Sequence, residues 1–135
     1  MSAISVVSPS WLALRGRADA QARSGGLAAK AARRMPAGPI VVHDLGSGTG
    51  AMMHWLAPRL RGPQSWVLHD ADAGILSHLD PEPAADASGV PVSVRTSVEE
   101  LAGLPADAVD TRPPTHGAPG AARWRHPAIP RASRR

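Results

Sequence analysis

The sequence predicts an α/β chain with about three parallel strands, two helices ahead of them and a disordered basic tail behind. Three observations predict it. Short apolar or β-branched runs at 40–42, 65–68 and 90–96 suit a buried parallel sheet, whose strands are covered on both faces and read as near-continuous apolar stretches. The intervals between them carry apolar positions at helical spacing, closed by Gly and Pro. Beyond residue 110 the composition changes: 111–135 holds six arginines, five prolines and no acid. These breaks divide the chain into a helical lead-in at 1–39, an α/β unit at 40–110 and a tail at 111–135.

In chain order, Ser8 or Ser10 can cap a first helix with Trp11, Leu14 and Ala18 on its inward face, and Ser24-Gly25-Gly26 interrupts it. A second helix, Leu27 to Arg34, sets Arg33 and Arg34 against the negative end of its dipole before Pro36 stops it. Ile40, Val41 and Val42 form the first strand, with Asp44 at its tip. A glycine loop leads into a helix that buries Met52, Met53, Leu56 and Leu60, which Pro58 shortens or kinks and Gly62-Pro63 ends. Ser65 to Asp70 reads as a second strand that ends in an acid. Leu76 and Leu79 mark a short crossover helix, and Val90 to Thr96 a third strand.

Composition narrows the chemistry. With 135 residues the chain can build one modest core. The absence of cysteine excludes disulfides, thiolate catalysis and cysteine-based zinc sites, and no tyrosine is present to act as a base. No G-x-S-x-G turn supports a serine nucleophile. No apolar run reaches membrane-spanning length and Met1 to Leu14 lacks the basic start of a secretion signal, so the expectation is a cytoplasmic protein with no membrane partner. The formal charge of +4 is concentrated in the tail, because 1–110 holds nine basic and eleven acidic side chains. Nucleic acid is accordingly expected as a partner only through that tail.

The most informative stretch is Val-His-Asp-Leu-Gly-Ser-Gly-Thr-Gly at 42–50. Gly46, Gly48 and Gly50 let the backbone turn sharply and approach a ligand, and the following helix presents free N–H groups. Gly46 to Ala51 also satisfies the G-x-G-x-x-G/A pattern of dinucleotide sites, so the loop alone leaves a nicotinamide dinucleotide open, with flavin a minor possibility. Asp44 discriminates. Its carboxylate would repel a pyrophosphate, whereas it suits a cationic ligand such as S-adenosylmethionine, which carries a sulfonium and an α-ammonium. Asp70, at the second strand tip, can accept both ribose hydroxyl hydrogens of an adenosine, with Asp72 as its substitute. His43 and His69 each precede a strand-tip acid, so two His and two Asp could also meet around a divalent ion; the cofactor reading already explains the acids, and no metal is expected.

Asp44-Leu45-Gly46-Ser47-Gly48-Thr49-Gly50 resembles motif I of class I S-adenosylmethionine-dependent methyltransferases, and Asp70-Ala71-Asp72 through Leu76 resembles the segment after their second strand. That resemblance implies a Rossmann-like sheet, S-adenosylmethionine as cofactor and an unidentified methyl acceptor. It implies that Asp44 faces the cationic end, that Gly46 to Gly50 pass beneath the cofactor, that Asp70 holds the ribose, and that Leu45, Ser47, Thr49 and Ala71 are among the cofactor-binding residues. The adenine contact falls at Ser97 and Val98, where the family usually has an acid and this chain has Glu99 and Glu100 slightly later. The lead-in is similar to the helices that cover the cofactor in small bacterial methyltransferases, so Arg23 could reach the methionine carboxylate.

The resemblance covers about residues 8 to 110, the N-terminal half of such a domain. Where the fourth strand is due, Ala106 to Asp110 runs into Thr-Arg-Pro-Pro. The expectation is a truncated or frameshifted product with an exposed sheet edge, prone to self-association, weak in cofactor affinity and inactive alone. The alternative is a nucleic-acid-binding basic arm on an inert core.

Overall fold

The structure, a computed structural model, describes residues 7–104. Its elements are helices α1 (Pro9–Ala22), α2 (Gly25–Arg34), α3 (Ala51–Leu56) and α4 (Ala73–Leu76), strands β1 (Ile40–Leu45), β2 (Gln64–Asp70) and β3 (Ser93–Val98), and 3-10 turns at Ala57–Arg59 and Leu101–Gly103. The three strands form one parallel sheet in the order β1-β2-β3. The expected α/β class and leading helices are therefore present. The expectations for the fourth-strand region and the tail lie outside the described residues.

Capping sets the boundaries of the lead-in. Ser8 Oγ accepts from Trp11 N–H to start α1, and Ser24 Oγ accepts from Leu27 N–H to start α2 two residues earlier than expected. The face of α1 differs from expectation. Leu12 is half-buried, its side chain 3.5 Å from where a Cβ on Gly48 would stand, while Trp11 is 45% and Leu14 83% exposed and Ala18 is exposed. The Arg15 guanidinium lies over the exposed Trp11 ring, 4.8 Å from its centroid.

Register and alternation give the sheet two unlike faces. Val42 pairs with Trp66, which pairs with Val94, and Leu68 follows on the same face. This face carries the core, where Trp66 and Leu68 are fully buried with Met53, Ala57, Leu76, Ala84 and Val92. Each fully buried side chain of this size contributes about 2 kcal/mol. Pro58 ends α3 after Leu56 by forcing a 3-10 turn, and Met52 stays at the surface while Met53 enters the core. Gln64 seals that turn: its amide nitrogen donates to the carbonyls of Ala57, Leu60 and Arg61, and its oxygen accepts from Trp66 Nε1–H at 2.8 Å.

β3 begins at Ser93, not Val90. Residues 84–92 form a tight reversal in which Asp86 N–H donates to Val90 O and Val92 N–H donates to Ala84 O, and Pro91 has no N–H to give a ladder. Asp86 closes the reversal, its Oδ1 accepting from the N–H groups of Ser88 and Val90.

Candidate functional site

The site is built at the C-terminal ends of β1 and β2, where ligands bind in open parallel sheets. β1 delivers Asp44 and Leu45 to its tip, and the chain then turns through Gly46, Gly48 and Gly50, all at positive φ (75°, 55° and 87°). Glycine adopts these angles without the steric cost of a Cβ. The N–H groups of Gly46 and Ser47 both donate to His69 O, at 2.8 and 2.9 Å, so the loop hangs from the end of β2. Gly50 is packed most closely, since a Cβ there would lie 3.2 Å from Leu79 and 3.6 Å from Met53.

Asp70 completes the fastening. One carboxylate oxygen accepts from Gly48 N–H at 2.9 Å and the other from Asp72 N–H at 3.0 Å. Each oxygen keeps a lone pair, so acceptance from ribose hydroxyls remains chemically available beside this role. Asp72 has a different task. It caps α4, its Oδ1 accepting from the N–H groups of Gly74 and Ile75.

Asp44 has no such satisfaction. Its Oδ2 is buried and makes no hydrogen bond, and the buried Ser47 Oγ nearby in the loop also lacks a partner. Burial lifts the Asp44 carboxyl above its ordinary range; Arg23 opposes this, Asp70 adds to it and His69 opposes it. Arg23, the C-cap of α1, thus lies within electrostatic reach of Asp44, with its guanidinium 5.8 Å from the Trp55 ring centroid. No match was found among protein-family models, curated proteins or solved structures. The chemistry of the site therefore rests on its own geometry.

The expected residues converge unevenly. Asp44, Leu45, Gly46, Ser47, Gly48, Thr49, Gly50 and Asp70 form one continuous edge, with Arg23 brought in from α1. Ala71 is exposed just past β2, and Val98, exposed at the end of β3, pairs with Asp70. Ser97 faces elsewhere, donating from Oγ to Glu99 at 2.8 Å.

The two histidines that the His-Asp repeat set side by side do meet, and Glu99 joins them. His43 Nδ1 and His69 Nε2 are 2.8 Å apart, their rings stacked at 5.1 Å between centroids, and His69 Nδ1 bonds Glu99. The bonds from His69 and Ser97 hold the Glu99 carboxyl below its ordinary range. Glu99, His69 and His43 thus form one hydrogen-bonded chain across the ends of the three strands. The repeated His-Asp dipeptide did signal adjacency, but strand alternation sends the histidines to one face of the sheet and the acids to the other. Among the described residues no three His, Cys, Asp or Glu side chains are grouped to hold a metal. Nor is any helix among them long and apolar enough to cross a membrane.

Proposed function

We propose that the junction of β1, the glycine loop and α3 binds S-adenosylmethionine, as the donor-binding part of a class I methyltransferase acting on an acceptor yet to be identified. The observation that carries this reading is the buried, unpartnered Asp44 Oδ2 at a strand tip. An anionic oxygen in that position favours a cation with hydrogens to donate, which the methionine α-ammonium supplies and a pyrophosphate does not. Ser47 Oγ adds a second polar atom in need of a partner, and Leu12 of α1 stands close to the loop at Gly48. Asp44 would hold the cationic end, the Gly46 to Gly50 backbone would pass beneath the cofactor, Asp70 would accept from the ribose, and Ala71 and Val98 would border the base. Arg23 would meet the methionine carboxylate.

When bound, the cofactor supplies an electrophilic methyl group on sulfonium. The chain's residues would hold and orient that donor; positioning alone is a large part of the rate in such transfers. The test is calorimetric titration with S-adenosylhomocysteine, with NADH as control and circular dichroism to verify folding. The expected result is binding of S-adenosylhomocysteine that Asp44→Ala weakens by at least tenfold. Selective binding of NADH by the folded chain would transfer the site to a nicotinamide dinucleotide.

A further inference from the structure

Charge in the described residues is sorted by region. Residues 9–34, which make α1 and α2, hold six cations (Arg15, Arg17, Arg23, Lys30, Arg33 and Arg34) against the single acid Asp19. Residues 35–104 hold three cations and eight acids. Net charges of +5 and −5 thus sit in consecutive parts of one chain. A cationic donor suits the acidic part. The helical part suits an anion.

Within the helical part, Lys30, Arg33 and Arg34 share one face of α2 by their spacing and together line an open concavity. All three are exposed, and among the described residues no carboxylate pairs with any of them. Their charge is therefore available to an external anion. On α1, exposed Trp11 carries Arg15 over its ring, which is the pairing of aromatic face and guanidinium that stacks on unpaired bases.

We propose that α1 and α2 form a docking surface for a single-stranded nucleic acid, with backbone phosphates seated on Lys30, Arg33 and Arg34 and a base stacked at Trp11. A concavity lined by three cations fits discrete phosphate groups, and the exposed aromatic ring of Trp11 adds the stacking surface that an unpaired base uses. Binding stands on these residues alone; that the bound strand is the methyl acceptor rests on the donor reading above. RNA and DNA share the phosphate chemistry.

The experiment is fluorescence anisotropy of the full chain with labelled twelve-nucleotide oligo(U) and oligo(dT) across a salt series. Both Lys30→Glu/Arg33→Glu/Arg34→Glu and its milder Gln counterpart are included, with circular dichroism as the folding control. The expected result is a loss of at least tenfold in affinity for the Glu variant, a salt slope reduced by about 2 for the Gln variant, and a further severalfold loss with Trp11→Ala. Binding of one oligomer alone upholds the proposal and identifies the sugar. A second chain, with Arg112, Arg123, Arg125, Arg131, Arg134 and Arg135 changed to Gln, separates the tail. The proposal is overturned if the helix variants bind as wild type, if only the tail variant loses affinity, or if the wild type binds phosphatidylserine vesicles and neither oligomer. S-adenosylhomocysteine titration of the same variants reports separately on the donor site, which the α2 substitutions leave intact.

Discussion

Asp44 and Asp70 occupy the tips of neighbouring strands, on the same face of the sheet, and could hardly differ more in what surrounds them. Asp70 has a backbone N–H on each oxygen and ties the glycine loop to the start of the next turn. Asp44 has a buried oxygen with no partner and a carboxyl lifted by burial. The difference teaches that an acid at a strand tip can be a fastening or a receptor. Asp72 and Asp86 fall on the fastening side, each accepting two backbone N–H groups. Asp44 stands apart from all three.

The largest expected effect breaks the fastening. Asp70→Ala leaves the N–H groups of Gly48 and Asp72 without their charged acceptor, and unfolding in urea should show a loss of about 3 kcal/mol. A loss below about 1 kcal/mol would mean that the loop holds its shape through the Gly46 and Ser47 bonds to His69 O alone.

The next effect has the opposite sign. Asp44→Asn replaces a half-buried carboxylate, one of whose oxygens has no partner, with a neutral amide of the same shape, so stability at pH 7 should rise by about 1 kcal/mol while S-adenosylhomocysteine affinity falls. The pH dependence follows from the raised folded-state pKa. Folding favours the protonated acid, so the wild-type penalty is full above that raised pKa and disappears as pH falls to 3.8, the ordinary value. The advantage of the Asn variant should therefore shrink on acidification. Glu99 titrates with the reverse sign, contributing stability above 4.5 that is lost as pH falls through its lowered folded-state pKa; it is common to both chains and cancels in their difference. An advantage that is flat with pH would place Asp44 in water.

Asp72→Ala tests whether capping is the whole of that residue's contribution. It should cost roughly 0.5 to 1 kcal/mol, Asp72→Ser should restore most of it, and neither should change S-adenosylhomocysteine affinity by more than about twofold. A large loss of affinity would make Asp72 a ligand for the ribose.

Much of this was legible in the sequence, for identifiable reasons. The β-branched run at 40–42, the glycine alternation and the acid at Asp70 act locally, so the strands, the loop and the early end of α3 at Pro58 could be read directly. Three things could not. The orientation of α1 sets half-buried Leu12 close to Gly48, 36 residues away in sequence, and leaves Trp11, Leu14 and Ala18 exposed, which the local apolar spacing does not reveal. The start of β3 depends on Asp86 drawing Val90 into a reversal. The His43 to His69 bond depends on register, which places the two rings on one face only after β1 and β2 have paired. Asp44 was singled out by its residue type and position. That its oxygen lacks a partner is visible only in the folded loop, where the N–H groups of Gly46 and Ser47 go to His69 O and that of Gly48 goes to Asp70.

That assignment leads to the smallest effect and the sharpest separation of the two roles. Ser47 Oγ is buried without a hydrogen bond, so Ser47→Ala removes a hydroxyl that contributes no bond in the free protein. Its stability should stay within about 0.5 kcal/mol of wild type, because no donor or acceptor is left stranded by the change. If Ser47 and Asp44 serve the same ligand, the Ala variant should nevertheless bind S-adenosylhomocysteine severalfold more weakly. A fastening residue would lose stability first and affinity as a consequence. A receptor residue loses affinity without losing stability, and calorimetry and urea unfolding on the same preparation measure the two independently.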